Sequence, residues 1–215
     1  GFGCTGMDLS KLYTLGVPIL TSWQAADLID NTHPLYYGRP GIYGQRTANK
    51  VLYEATQILA LGCRLCTWMI GHGGLRPEQK VSMVDIDRSQ VARIPGAVWG
   101  GIDIPAYIET LQPCANTWVP EKIPVIEAAH ADTEFINSYR VMERLEQYLR
   151  PDEIICVDNG SLLCPVMQVL RFKPPQRVMT SGCLGEMGCA LPAAVGAAFA
   201  SPGKDVIAFV GDGGM

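Results

Sequence analysis

Two rhythms of hydrophobic positions alternate along this chain. Ala48, Val51, Leu52 and Ala55 recur at three- and four-residue intervals and predict a helix from Gln45 to about Thr56, while Ile58–Leu61 is a short apolar run of strand type. Before them, Leu9, Leu12 and Tyr13 suit a helix ending near Gly16, followed by Val17–Leu20 as a buried strand. After them, Lys80–Ile86 alternates and leads into Asp87, and Pro105–Leu111 reads as a short helix. This half therefore predicts one open, parallel-sheet domain.

Pro113, Pro120 and Pro124 interrupt a stretch with little periodicity, which predicts an extended connection. Beyond it, Phe135, Tyr139, Met142, Leu145 and Leu149 line one face of a helix that Pro151 ends. Strands are predicted at Ile154–Val157, Arg177–Thr180 and Asp205–Val210, with helices at Ser161–Leu170 and Met187–Ala200 between them. The expected fold class is α/β, with two open parallel-sheet βα domains of which the second is truncated. The expected boundaries are 1–115, a linker at 116–131, and 132–215.

Composition narrows the partners. At 215 residues, 48% hydrophobic and 18% charged, the chain can fill a core and is too apolar for a disordered one. A formal net charge of −4 leaves no basic surplus for a nucleic-acid backbone or an anionic membrane surface. The stretch from Met187 to Pro202 is uncharged, but Gly188, Pro192 and Gly196 interrupt it and it falls short of the roughly 20 apolar residues a span needs. Eight cysteines in a chain of this length are too sparse for a disulfide scaffold, so reduced thiols and a cytoplasmic protein are expected. Gly1-Phe2-Gly3 and the final glycine loop both read as cut ends.

The most informative segment is Val206-Ile207-Ala208-Phe209-Val210-Gly211-Asp212-Gly213, an apolar strand that delivers an aspartate between two glycines. In parallel sheets ligands collect beyond the carboxyl ends of strands. Glycines let backbone N–H groups approach a diphosphate, and one carboxylate can help hold an octahedral Mg2+. An Asp-Gly turn after a strand fits the same residues. Upstream stand Thr180-Ser181-Gly182-Cys183-Leu184-Gly185-Glu186-Met187-Gly188 and Leu191-Pro192-Ala193-Ala194-Val195-Gly196-Ala197.

In this order the three segments resemble the cofactor domain of thiamine diphosphate enzymes of the acetolactate synthase type. That family's pattern is Ser-Gly-Gly-Leu-Gly-x-Met-Gly, then Leu-Pro-Ala-Ala-x-Gly-Ala, then Gly-Asp-Gly. The first half is similar to the family's central domain at Leu35-Tyr36-Tyr37-Gly38, Gly41-Ile42-Tyr43-Gly44, Ala48-Asn49, Leu61-Gly62-Cys63-Arg64 and Asp85-Ile86-Asp87. The resemblance implies a thiamine diphosphate- and Mg2+-dependent enzyme that decarboxylates 2-oxo acids with carboligation, a lyase or transferase working as a homodimer or homotetramer. A fragment of this extent would be inactive by itself, because the family's activating glutamate lies in a preceding domain and its site forms between subunits.

The resemblance also assigns roles. Gly185 would offer its carbonyl, and Met187 its backbone N–H, to the aminopyrimidine. The Met187 side chain would wedge between the cofactor's rings. Asp212 would bind Mg2+, with Gly211, Gly213 and Gly214 against the diphosphate. Cys183 replaces the usual glycine and reads as filler, and Gly214 stands where serine is common. In the first half, Gly1, Gly3, Gly44, Arg64 and Asp85 match positions that hold FAD in acetolactate synthases, and ADP, coenzyme A derivatives or nothing in relatives. A second arginine expected after Arg64 is replaced by Cys66-Thr67-Trp68.

Other signals are weaker. Gly1-Phe2-Gly3-Cys4-Thr5-Gly6 fits a dinucleotide fingerprint but lacks the preceding strand and the later acidic residue. Cys63-Arg64-Leu65-Cys66 has no zinc-site partners at the right spacing. Two alternatives to the enzyme remain at this stage: a non-catalytic nucleotide-binding module built on the first half, and a pseudoenzyme subunit of the same fold.

Overall fold

Every strand pairing among the described residues is parallel, as buried apolar runs separated by helical segments predict. The computed structural model describes residues 1–125, 136–182 and 184–215. In chain order the strands are β1 (Ile19–Leu20), β2 (Tyr36–Gly38), β3 (Gln57–Leu61), β4 (Lys80–Val84), β5 (Val98–Trp99), β6 (Ile154–Val157), β7 (Arg177–Thr180) and β8 (Val206–Phe209). The helices are α1 (Arg46–Glu54), α2 (Thr67–Ile70), α3 (Arg88–Ala92), α4 (Ile104–Thr110), α5 (Ser138–Leu145), α6 (Leu163–Val169) and α7 (Ala190–Ala200).

The first half differs from the expected single sheet. Among the described residues β1 pairs only with β2, and β3–β4–β5 form a separate sheet. β1 is two residues long and its register against β2 slips between Ile19 and Leu20, so it offers little edge to extend. The two sheets are joined by packing instead: Leu9, Ile29 and Tyr36 share a core with Leu61, Val84, Ile104 and Ile108. The segment expected as a helix before Gly16 is a 3₁₀ turn, Ser10–Leu15.

The second half forms the sheet β7–β6–β8. β6 and β7 have the predicted bounds; for β6 a four-residue apolar run between turn residues leaves little choice. α7 starts at Ala190 rather than Met187. Gly185 and Gly188 have φ of +75° and +86°, so the chain cannot become helical before it has passed them. Pro192 is tolerated in the first turn of α7, where its missing N–H has no helical partner to lose. Asn137 caps α5 by accepting from Tyr139 N at 2.9 Å, and Phe135, expected on this helix, lies outside the described residues.

The proline-rich connection is extended but not free-running. Asn116 donates to Gly16 O at 3.0 Å, Ile123 N to Thr47 Oγ1 at 2.8 Å, and Lys122 to Pro34 O at 3.1 Å, so the strap to Pro124 is tied to the first half. The two halves also meet directly. Ala26 is buried in the second half's core with Ile155, Val166 and Leu170. Asp27, in the same segment, accepts from Val178 N and Arg177 Nε, each at 2.8 Å. Among the described residues no helix is long and apolar enough to cross a membrane.

Candidate active site

Register sets the floor of the site. Val157 of β6 pairs with Thr180 of β7 and with Phe209 of β8, so three loops leave the sheet side by side from its carboxyl end. β6 is central, and the chain passes from β6 to β7 on one side and then crosses to β8 on the other. That reversal opens a crevice at the tip of β6, the usual ligand position in such sheets.

Asp158 occupies that tip and is 1% exposed. Its carboxylate accepts from Gly188 N at 2.8 and 3.1 Å, from Cys189 N at 3.3 Å and from the Cys189 thiol at 3.4 Å. Burial acts to raise its pKa, but the N–H groups of Gly188, Asn159 and Cys189 and the Cys189 thiol outweigh burial and hold the carboxyl below its ordinary range. The thiol of Cys189 is pushed up, first by desolvation, with the neighbouring Asp158 carboxylate also raising it, and so stays protonated as a donor. Next door, Asn159 donates to Ser181 Oγ and to Glu186 O at 2.5 and 2.8 Å. Two consecutive residues of the β6 loop thus grip the β7 loop along its length.

The expected cofactor residues come together over this base. Met187 is 65% exposed, and a Cβ built on Gly213 would stand 3.4 Å from its sulfur. A Cβ on Gly188 would approach Gly214 O at 3.8 Å, so the β7 and β8 loops abut. Gly185 and Gly211 have no heavy atom within 4 Å of where a Cβ would sit, which leaves their main chain open to a ligand. Asp212 is exposed and opens a 3₁₀ turn, Asp212–Gly214, closed by Gly214 N donating to Gly211 O at 3.0 Å. Among the described residues no group of three or more His, Cys, Asp or Glu side chains gathers. At Asp212 one carboxylate is presented, and main-chain oxygens, water or a bound diphosphate could join it in a donor set that suits Mg2+. The residues present fit a Mg2+–diphosphate group.

A second convergence lies at the carboxyl end of β3 and β4. Gly3 N donates to Gly62 O at 3.1 Å, and Gly1 N to Leu61 O at 2.7 Å, so these glycines lie against the end of β3. Leu61 pairs with Val84, which places Asp85 at the same level. Asp85 accepts from Asp87 N at 3.0 Å. Asp87 is held below its usual range by hydrogen bonds from Ser89 and Gln90, with the charge of Arg64 contributing. Gly1, Gly3, Arg64 and Asp85 therefore share one edge. Gly44 does not join them closely; its nearest neighbours are Arg39, Pro40 and Gly41 in its own turn ahead of α1.

Sequence reasoning singled out Gly185, Met187 and Asp212 but missed Asp158, Asn159, Ser181 and Cys189 as the residues that arrange them. The signal was present: Ile154-Ile155-Cys156-Val157-Asp158 repeats the apolar-run-then-aspartate pattern that drew attention to Asp212.

Comparison with known proteins gives two family matches. Residues 10–110 match the thiamine pyrophosphate enzyme central domain, and residues 158–215 the thiamine pyrophosphate enzyme C-terminal TPP binding domain. The chain is 29% identical over 220 residues to the acetolactate synthase isozyme 1 large subunit of Escherichia coli (strain K12), covering 93% of this chain and 37% of that protein. It is 28% identical over 219 residues to the acetolactate synthase large subunit of Lactococcus lactis, with the same coverage. Acetolactate synthase of Mycobacterium bovis is 30% identical over 221 residues, 92% of this chain and 35% of that protein. The chain thus spans just over a third of the length of these relatives.

Proposed function

Because the chain belongs to the thiamine pyrophosphate enzyme family, we propose that it supplies the central region and the cofactor anchor of a thiamine diphosphate- and Mg2+-dependent enzyme that decarboxylates 2-oxo acids with carboligation, in the manner the name acetolactate synthase describes. The observation that carries this reading is the meeting of the β7 and β8 glycine loops beside the Met187 sulfur, above the β6 tip. A module that only bound a nucleotide in its first half would have no use for that meeting. The working units are residues 1–115 and 132–215, and the enzyme acts as a cytoplasmic homo-oligomer.

In this reading Asp212 binds Mg2+, and the N–H groups of Gly211–Gly214 lie against the diphosphate. The Gly185 carbonyl accepts from the aminopyrimidine, and the Met187 N–H donates to it. Thiamine diphosphate supplies, when bound, a nucleophilic carbon and an electron sink. The chain's task is to bind it, bend it and keep water away. Met187 suits the bending role because its side chain is long, unbranched and polarizable and stands out from the loop. At the β3–β4 edge, Arg64 would meet a nucleotide diphosphate and Asp85 a ribose, in a site of the FAD type.

The direct test is titration of the protein that carries this chain with thiamine diphosphate, with and without Mg2+, followed by tryptophan fluorescence or calorimetry. Saturable binding that needs Mg2+ is expected. Absence of binding would favour a non-catalytic module. A second measurement checks Met187: in Met187→Ala, exchange of the cofactor's C2 proton, followed by NMR, should slow about 10- to 100-fold, as loss of a positioning contact does. Cofactor affinity should change much less. An unchanged exchange rate removes the wedge role.

A further inference from the structure

We propose that Asp158 is a positioning residue that sets the distance between the two cofactor loops, holding the β7 loop with its carboxylate while occupying the space beside Gly214 of the β8 loop. The inference rests on the functional reading above and extends it to a residue that touches neither cofactor nor metal. Three features lead to it.

The first is burial with unusual acceptor duty. A carboxylate that is 1% exposed has lost its water, and here its replacement partners beyond the adjacent Asn159 N–H are two backbone N–H groups and a thiol from Gly188 and Cys189. These residues directly follow Met187, so the carboxylate fixes the main chain on which the exposed thioether pivots. The second is the contact on the other side. A Cβ at Gly214 would collide with Asp158 Oδ2, so the buried Gly214 closes on the carboxylate with no space for a side chain.

The third is the direction of the hydrogen bonds. Both carboxylate oxygens accept from Gly188 N, so an amide in place of the carboxylate must point its NH2 either at the Gly188 N–H or at Gly214. Asp158→Asn is isosteric yet cannot keep the same set of contacts. The carboxylate, and not just its volume, is what the loops require.

The test compares thiamine diphosphate affinity, at saturating Mg2+, of the full protein with Asp158→Asn, Gly214→Ala, Asp158→Ala and the Asp158→Ala/Gly214→Ala double variant. Asp158→Asn should weaken binding about tenfold, the loss expected for one charge-assisted hydrogen bond, and the collision that Gly214→Ala introduces should weaken it about as much. The decisive readout is coupling. Gly214→Ala should cost far less affinity once Asp158 is alanine, because the collision is gone. A merely structural role would lower thermal stability and leave the affinity of the folded fraction untouched. If Asp158→Asn does not fold, Gly214→Ala probes the same contact from the opposite loop. Binding by the unaltered protein together with unchanged affinity in Gly214→Ala, or additive losses in the double variant, overturns the inference and leaves the functional reading standing. No binding by the unaltered protein overturns both.

Discussion

Asp212→Ala is expected to abolish Mg2+-dependent binding of thiamine diphosphate. The carboxylate is exposed at the start of the turn that follows β8, and the turn's own hydrogen bond runs from Gly214 N to Gly211 O without using it. Removing it therefore leaves the loop's frame intact while deleting the proposed anionic ligand. Groups that only support a metal ligand typically contribute 10- to 100-fold in affinity, so a direct ligand should account for about a hundredfold or more. Calorimetric titration at a fixed cofactor concentration over a range of Mg2+ checks it: the wild-type protein should show a Mg2+ dependence that the variant lacks. Retention of wild-type affinity would mean that the metal anchor lies elsewhere. Asp212→Asn should fall between the two, since its amide oxygen can still coordinate a hard cation but without charge.

The candidate site was legible in the sequence where its chemistry is main-chain chemistry. Glycines at 185, 188, 211 and 213 declare close approach and open backbone whatever the surrounding fold, and the bounds of β6 followed from an apolar run between turns. What periodicity could not show was anything shorter than its own window. β5 has two residues, β2 three, α2 four and α3 five, and none repeats a hydrophobic position often enough to be seen. The split of the first half into two sheets depends on those short pieces. Asp158 escaped for a different reason: an aspartate after an apolar strand is ambiguous until pairing shows which loops it stands between, and the register of β6 with β7 and β8 is not local information.

Arg39 is the strongest case of such non-local dependence, and it carries the second large expected effect. Arg39→Ala should destabilise the protein by about 3–5 kcal/mol in urea or thermal unfolding, a large fraction of the typical 5–15 kcal/mol stability of a domain. The side chain is 1% exposed. Its Nε donates to Met167 O at 2.7 Å and its Nη2 to Leu170 O at 2.8 Å. Its Nη1 donates to Asn31 Oδ1 at 2.6 Å and to the Tyr36 hydroxyl at 3.0 Å. The guanidinium also lies 5.2 Å from the centre of the Phe172 ring.

These partners are neutral, so the buried charge is not cancelled by a carboxylate among them. It is offset by the carbonyls at the end of α6, where the helix leaves acceptors unused and its dipole favours a cation. Truncation at Arg39 would strand the Met167 and Leu170 carbonyls, leave Asn31 Oδ1 with the Phe172 N–H as its remaining donor, and open a void between the first half and the second half's core. Arg39→Lys should recover only part of the loss, because one ammonium cannot reproduce the planar fork that reaches Met167, Leu170, Asn31 and Tyr36 together. The seam makes a further prediction. If Arg39 ties the halves into one cooperative unit, unfolding of Arg39→Ala should separate into two transitions where the unaltered protein shows one. A single transition at unchanged midpoint would mean that the core around Ala26 and the Asp27–Arg177 pair suffices to hold the halves together.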